Sequence, residues 1–290
     1  MKNLIFSIVL LLSAVCSKAQ QPISFTPADK TKIESIFTKF ATRSNESPQT
    51  LIVALARYFI GVPYVAKTLE VNDNEQLIIN LRQLDCTTFV ENVMAAYLCI
   101  KTNKLTFNDF AYYLRQVRYA DGNVSYPTRL HYFSEWIDQN TRKQYVCELQ
   151  QPNPPFTSMQ HININYMSTH TSLYPMLVKH PKMISVIKTL EKMSSGKHRR
   201  YIPKETIRNN ALFRSTIHNG DIIAITTKKK GLDTSHIGFA VWHKDGLHLL
   251  NASQIHKKVV EEPMTLYQYM QKHTSQVGIR IVRINNWLQK

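Results

Sequence analysis

The spacing of apolar residues changes along the chain, from a helical period in the first third to strict alternation in the last third. Before residue 120, helical spacing marks four segments, at residues 27–41, 47–61, 85–101 and 106–119. After residue 219, alternation marks four strands, GDIIAITT, HIGFAVW, LHLLNAS and GIRIVRIN. The HKDG sequence between the second and third strands indicates a hairpin. Helices followed by an antiparallel sheet predict an α+β fold.

The segment at about residues 120–210 follows neither pattern throughout. ADGN at 120–123 indicates a turn, and QQPNPP at 150–155 breaks the chain. LHYFSEWIDQN has the spacing of a short amphipathic helix, and residues 174–193 have helical content with many basic residues. We therefore expect an insertion of mainly helical segments between the N-terminal helices and the sheet.

The N-terminus has the form of a secretory signal peptide, with Lys2 before an apolar run that ends in SKA. We predict cleavage after Ala19, which leaves residues 20–290 as a single domain. Lipoprotein processing at Cys16 is the alternative, and Val15 stands where that signal requires a small residue. No later stretch is apolar enough to cross a bilayer. We expect a secreted, periplasmic protein that is a monomer.

The charge favours anionic partners or serves solubility. The whole chain carries +16, and the signal peptide contributes two lysines and no acids, so the mature chain carries 16 − 2 = +14. A basic chain suits nucleic acid, a lipid surface or an acidic cell-wall polymer. Because export makes nucleic acid an improbable partner, we predict no nucleic-acid binding.

The mature chain keeps an odd number of cysteines, Cys86, Cys99 and Cys147, so at least one thiol stays unpaired. Cys86 and Cys99 are too far apart along one predicted helix to form a disulfide. A bond between Cys99 and Cys147 stays open, whereas Cys86 is free in each arrangement. Cys86 follows Asp85, a good capping residue, at the start of the third helix. Unpaired backbone N–H groups and the helix dipole favour a thiolate there, although a small buried hydrophobe is the simpler interpretation.

A thiolate nucleophile needs a histidine and a group that orients this histidine. His236 starts an alternating strand and is followed by Gly238, which allows another backbone or a substrate to come close. The next strand offers His248 and Asn251. If the loop has four or five residues around 243–246, Asn251 lies beside His236; a two-residue turn at 245–246 leaves them on one face but several residues apart. His248 points to the opposite face in either case.

In this order, GVPYV, LDCTTFVE, GDIIAI, SHIGFAVW and LLNAS resemble the motifs of NlpC-type cell-wall peptidases, which are papain-like cysteine hydrolases. The usual DCSG is DCTT here, and PYVAKTLE lacks the expected paired glycines. These departures, with RLHYFSEWI, resemble a narrower branch of N-acetylmuramoyl-L-alanine amidase-like proteins. The resemblance implies a papain-like NlpC-type core, with helical insertions between the cysteine helix and the sheet.

The resemblance also implies a mechanism without a cofactor. Cys86 would attack a carbonyl carbon, His236 would act as base and then acid, and Asn251 would orient the imidazole. Tyr64 and the Cys86 backbone N–H would stabilise the oxyanion. The branch implies cleavage between N-acetylmuramic acid and L-alanine, whereas the wider superfamily more often cleaves the γ-D-glutamyl bond to a diamino acid. A non-catalytic protein that binds peptidoglycan fragments is an alternative of another class.

The expected substrates are small soluble muropeptides, including forms with an anhydro sugar. Their carboxylates need cationic or amide partners. We name Arg129 and His131 as candidates for these contacts, followed by Thr88 and Glu70. The histidines at 161, 170 and 180 lack the spacing of metal ligands, so we predict no metal.

Overall fold

The computed structural model describes residues 22–286. Within this range the helices are α1 Pro27–Phe40, α2 Pro48–Tyr58, α3 Cys86–Lys101, α4 Phe107–Arg118, α5 Phe133–Arg142, α6 Tyr166–Thr169, α7 Pro175–Lys179, α8 Met183–Ser194, α9 Ala211–Thr216 and α10 Leu266–Gln271. The strands are β1 Ile23–Ser24, β2 Leu77–Ile78, β3 Val146–Glu148, β4 Ser158–His161, β5 His198–Pro203, β6 Ile222–Thr227, β7 Thr234–Trp242, β8 Leu247–Ser253, β9 Lys258–Glu261 and β10 Gln276–Ile284.

The predicted α+β class is confirmed, since α1–α4 and β6, β7, β8 and β10 all occur where the apolar spacing places them. The predicted signal peptide lies outside the described residues. Within residues 22–286, no helix is both long and apolar enough to span a membrane. The thiols of Cys86, Cys99 and Cys147 are all unpaired, so the disulfide that the sequence left open is not formed.

One sheet organises the molecule, with strands in the order β4–β5–β10–β6–β7–β8–β9. Each neighbouring pair in this order is antiparallel, and β3 also pairs with β10. The short strands β1 and β2 form a separate parallel pair. The four strands predicted at the C-terminus therefore form the centre of the sheet and part of its β8–β9 side.

Apolar side chains cover both faces of this sheet. On one face, α1–α4 bury the largest core, where Phe89 of α3 meets Phe239 of β7 with ring centroids 5.5 Å apart. A second core on the other face includes Ile223, Ala240 and Met270. Burial of this apolar area provides the main driving force for folding. It also fixes the start of α3 against β7 and β8.

Residues 120–210 form an accessory region with a small core of its own, which includes Tyr126, Ile164, Met167 and Ile187. The expected helices α5, α7 and α8 are present. The expectation of a mainly helical insertion is incomplete, because β3, β4 and β5 extend the sheet beyond β10. The alternation rule does not detect β4 or β5, since they are short and polar.

Candidate active site

Cys86 is the first residue of α3, and the residues around it form a regular helix N-terminus. The carboxylate of Asp85 accepts a hydrogen bond from the Thr88 backbone N–H at 2.8 Å, and the Thr88 hydroxyl accepts one from the Asp85 N–H at 2.9 Å. This reciprocal pair is a capping box. Thr88, a substrate-contact candidate in the sequence, therefore serves the cap and is 2% exposed.

The Cys86 sulfur lies beside the first residues of β7, because the backbone N–H of Ile237 donates a hydrogen bond to it. The thiol is thus next to the His236–Ile237 peptide. Burial raises the pKa of Cys86 to about 12; the charge of Asp85 adds to this, and hydrogen bonds from Ile237 and Thr87 oppose it. The free site therefore holds a neutral thiol. The thiolate expected from the helix terminus alone is therefore not the form that this site favours, because burial raises the pKa of the thiol.

His236 is paired with the orienting group that the sequence indicates. Its Nε2–H donates a 2.9 Å hydrogen bond to Asn251 Oδ1, and Asn251 Nδ2 donates to the Leu249 carbonyl at 3.2 Å. Burial lowers the pKa of His236 below its usual value, and the bond to Asn251 partly offsets this. The ring is therefore neutral at pH 7, with Nδ1 left to accept a proton.

The hairpin register brings these two residues together. Trp242 pairs with Leu247 around the loop at 243–246, and Phe239 pairs with Leu250. Extending this register places Asn251 opposite Gly238. A Cβ atom at Gly238 would lie 2.9 Å from Asn251 Cβ and 2.8 Å from the Leu250 carbonyl oxygen. Gly238 therefore leaves the space through which Asn251 reaches His236.

His248, the alternative orienting residue, lies on the face of the sheet opposite to Asn251, as the alternation predicts. Its Nδ1–H donates to the Glu262 carbonyl at 2.8 Å, and its Nε2 lies 3.1 Å from the carboxylate of Asp245. Both contacts hold His248 to the far side of the hairpin. It is therefore not available to His236.

Tyr64 lies between α2 and β2, next to the residues that precede α3. It forms a bridge with Leu84, and its N–H donates to the Lys257 carbonyl at 2.9 Å. Burial raises the pKa of Tyr64 to about 12, and the proximity of Cys86 and Asp85 adds to this effect. The phenol is therefore protonated at neutral pH and able to donate a hydrogen bond near the thiol.

Arg129, Glu70 and His131 lie together in a separate cluster. The guanidinium of Arg129 is 6% exposed; it contacts the carboxylates of Glu70 and Glu75 and donates to the Leu69 carbonyl at 3.1 Å. In this state its donors are occupied by the protein and not free for a substrate carboxylate. The cluster instead fixes the loop that follows Tyr64 to the accessory region.

His131 is held by its own neighbour in that cluster. Its Nε2–H donates a 2.8 Å hydrogen bond to the Tyr126 carbonyl. Burial, and then the charge of Arg129, lower the pKa of His131 to about 3. A neutral histidine of this kind offers a polar contact and no positive charge.

The structure thus brings Cys86, His236, Asn251 and Tyr64 to one place and leaves Arg129, Glu70 and His131 in another. Sequence reasoning did not select Glu262, although Glu262 stands two positions after Val260, the partner of Asn251 in the sheet. The alternation of β9 was the signal that could have identified it. Across residues 22–286, no group of three histidine, cysteine or acidic side chains is arranged to hold a metal ion.

These features define an α+β protein with a thiol, an imidazole and an amide gathered where a helix start meets a strand start. The family model AmiA-like, described as N-acetylmuramoyl-L-alanine amidase-like, matches residues 54–279. The chain belongs to this family. No curated protein matches the chain.

Solved structures also resemble this chain. An N-acetylmuramoyl-L-alanine amidase from Bacteroides uniformis is 35% identical with a TM-score of 0.76, over 82% of this chain and 99% of the other. A Bacteroides fragilis protein provisionally named a xylanase is 40% identical with a TM-score of 0.73, over 80% and 99%. A Legionella pneumophila protein of the DUF1460 family model is 24% identical with a TM-score of 0.68, over 88% and 95%, and is similar in fold alone.

Proposed function

We propose that this protein is a cysteine amidase that cleaves the amide between N-acetylmuramic acid and the L-alanine of a peptidoglycan stem peptide. The observation that carries the proposal is the position of the Cys86 thiol beside the His236–Ile237 peptide, with His236 bound to Asn251. Membership of the amidase-like family and the named Bacteroides uniformis amidase support the choice of bond. The arrangement is also in keeping with a papain-like NlpC-type core.

In the proposed reaction, Cys86 Sγ attacks the lactyl carbonyl carbon while His236 Nδ1 takes the thiol proton. The carbon–nitrogen bond then breaks, and His236 returns this proton to the departing L-alanine amine. The muramoyl group is left as a thioester on Cys86. Water, deprotonated by His236, attacks the thioester, releases a carboxylic acid and regenerates the thiol.

The electrostatics of the free site suit this order of events. Because the pKa of Cys86 is raised and that of His236 is lowered, both groups start neutral and the proton moves during the attack. The Tyr64 hydroxyl and the Cys86 backbone N–H are the proposed donors to the oxyanion, where a well-placed donor is worth about 3–4 kcal/mol. Asn251 keeps Nε2 protonated, so that Nδ1 stays the acceptor.

We propose small, soluble muropeptides as the substrates and an exported, periplasmic location as the place of action.

The loop after Tyr64 is fixed by the Arg129 cluster, and Lys67 Nζ in this loop donates to the Leu173 carbonyl of the accessory region at 3.0 Å. In the proposal this loop forms one wall of the substrate cleft. Arg129 and His131 then act on the substrate through the loop rather than by direct contact.

The test is to incubate the purified protein with defined muropeptides, with and without an anhydro sugar, and to measure the product masses. The amidase releases a free peptide that begins with L-alanine. A γ-D-glutamyl endopeptidase on the same fold releases a fragment that ends in L-Ala-D-Glu, and this product would overturn the proposed bond. Cys147→Ala, which removes a partly buried thiol elsewhere, is the matched control for Cys86→Ala.

The same purified proteins also test two other activities. A binding protein would retain muropeptide and release no product, and Cys86→Ala would then leave its behaviour unchanged. The name of the Bacteroides fragilis relative suggests xylan as a further substrate. Glycoside hydrolysis ordinarily uses a pair of carboxylates across the bond, whereas this site centres on a thiol and an imidazole. We therefore expect no reducing sugar from xylan.

A further inference from the structure

Glu262, directly after β9, is a buried carboxylate close to the proposed active site. Its side chain is 1% exposed, and Oε1 lies 2.9 Å from His256 Nε2. Oε2 is buried and has no hydrogen-bond partner within the described part of the chain. A carboxylate that is buried with one oxygen unpaired costs stability. This cost suggests a role for the charge itself.

The register places Glu262 on the same face of the sheet as the His236–Asn251 pair. Asn251 of β8 pairs with Val260 of β9, and the Glu262 N–H donates to the Leu249 carbonyl at 2.8 Å. Leu249, Asn251 and Glu262 therefore point to one side, because every second residue of a strand shares a face. His236, Asn251 and Glu262 come from three consecutive chain segments in the sheet.

Charged groups from each neighbouring element act on His236. Glu262 and Asp85, the latter at the start of α3, favour the protonated ring; His273, after α10, opposes it. Cys86 lies beside the same strand start. Asn251 makes the direct contact but carries no charge.

Glu262 has neighbours of its own. His256 contacts its carboxylate from the turn between β8 and β9, and His248 donates to its backbone carbonyl. Burial raises the pKa of the Tyr269 phenol in α10, and the nearby charge of Glu262 adds to this effect. Tyr269 is therefore neutral at pH 7, so on this side of the site Glu262 favours the protonated His236 ring and His273 opposes it.

We propose that Glu262 is a positioning residue that stabilises the imidazolium of His236, and so provides the negative charge that a neutral Asn251 lacks. The proposal rests on the role of His236 as the base in the proposed function. When His236 takes the proton of Cys86, the new positive charge forms on a half-buried imidazole. A buried carboxylate acts more strongly there than it would in water.

The test follows the titration of His236 by NMR, which needs no turnover. The Cε1–H signal of His236 is assigned by its absence in His236→Gln and is then followed against pH. In Glu262→Gln we expect a lower midpoint, by about half a pH unit or more. Glu261→Gln is the matched control, since Glu261 lies one residue earlier, on the opposite face, and pairs with Arg57 and His243.

Muropeptide kinetics add a second readout. We expect Glu262→Gln to lower kcat about tenfold with little change in KM, because the charge acts on the transition state. If Glu262→Gln does not fold, Glu262→Ala replaces it in the titration. This variant removes the carboxylate together with its unpaired oxygen and leaves His256 in place, so the midpoint of His236 should again fall.

An unchanged midpoint in Glu262→Gln, an equal shift in Glu261→Gln, or an unchanged midpoint in Glu262→Ala where that variant is used would each overturn the inference. Because the NMR titration does not depend on hydrolysis, the absence of any muropeptide turnover would count against the proposed function alone. The two proposals can therefore fail separately.

Discussion

The Nε2–H of His236 donates a 2.9 Å hydrogen bond to Asn251 Oδ1. Gly238 lies beside Asn251, and its missing side chain leaves room for this contact. An amide oxygen can only accept, so this contact fixes the tautomer of the ring and leaves Nδ1 free for the thiol proton. The orientation of the proposed base thus depends on a neutral partner.

Replacing Asn251 by alanine removes the acceptor for Nε2–H. We expect kcat on a muropeptide to fall roughly a hundredfold, because the base loses its tautomer and its orientation. Asn140→Ala is the matched control. This asparagine of α5 is also fully buried, but it donates to the Val117 carbonyl of α4 and to the Trp136 carbonyl of α5. It should lower the melting temperature and leave kcat near the wild-type value. Equal losses of kcat in both variants would contradict the role of Asn251.

Gly238→Ala introduces a methyl group that would press on the Leu250 carbonyl oxygen and on Asn251 Cβ. We expect a loss of about 1–3 kcal/mol in the free energy of unfolding. We also expect kcat to fall about a hundredfold, because a displaced Asn251 misplaces His236.

Gly278→Ala controls for crowding alone, since its Cβ would press on Ile202 and Tyr201 at a strand contact of β10 and β5. It should cost stability without a comparable loss of kcat. Urea unfolding and initial rates, measured at a temperature where both variants are folded, separate the two effects. A Gly238→Ala enzyme with wild-type kcat would show that the gap has no role in orienting the base.

Tyr64→Phe removes the proposed oxyanion donor and keeps the ring. We expect kcat to fall between about a hundredfold and a thousandfold with little change in KM, as is usual for such a donor. Tyr113→Phe is a suitable control, because the Tyr113 hydroxyl is bonded to Thr102 Oγ1 at 3.0 Å in the packing of α3 and α4. A change confined to KM would instead assign Tyr64 to substrate binding.

The acid limb of kcat/KM should report the protonation of His236. Burial lowers the pKa of this imidazole below its usual value of 6.5, and only the neutral ring can act as the base. Activity is therefore expected to persist below pH 6.5 and to be lost as pH falls through the lowered pKa. A pH–rate profile gives the midpoint when it is measured over a range in which the substrate carboxylates stay ionised. A midpoint clearly above 6.5 would mean that another group controls the limb.

Much of the site was predictable from the sequence, because its parts follow local rules. Asp85 caps α3, His236 starts an alternating strand, and the register of a short hairpin brings Asn251 near it. These features depend on neighbours in sequence or on the period of a strand. The same rules gave α1–α4 and the central strands.

Other features depend on packing between distant segments, which no local pattern reports. Arg129 was a reasonable partner for a substrate carboxylate, yet the chain supplies its own carboxylates in Glu70 and Glu75. The start of α3 was expected to hold a thiolate, yet burial by other segments raises the pKa of the Cys86 thiol. The positions of β4 and β5 likewise follow from pairing with β10 rather than from apolar alternation.

The most direct test of the central claim is the mass of the protein after an acid quench during turnover of a muropeptide. We predict an adduct equal to the muramoyl acyl group, mapped by peptide analysis to Cys86 and absent from Cys86→Ala, which should show no turnover. Cys147→Ala should form the same adduct. Turnover by Cys86→Ala at the wild-type rate would contradict the account, and an adduct that also contains L-alanine and D-glutamate would contradict the proposed bond.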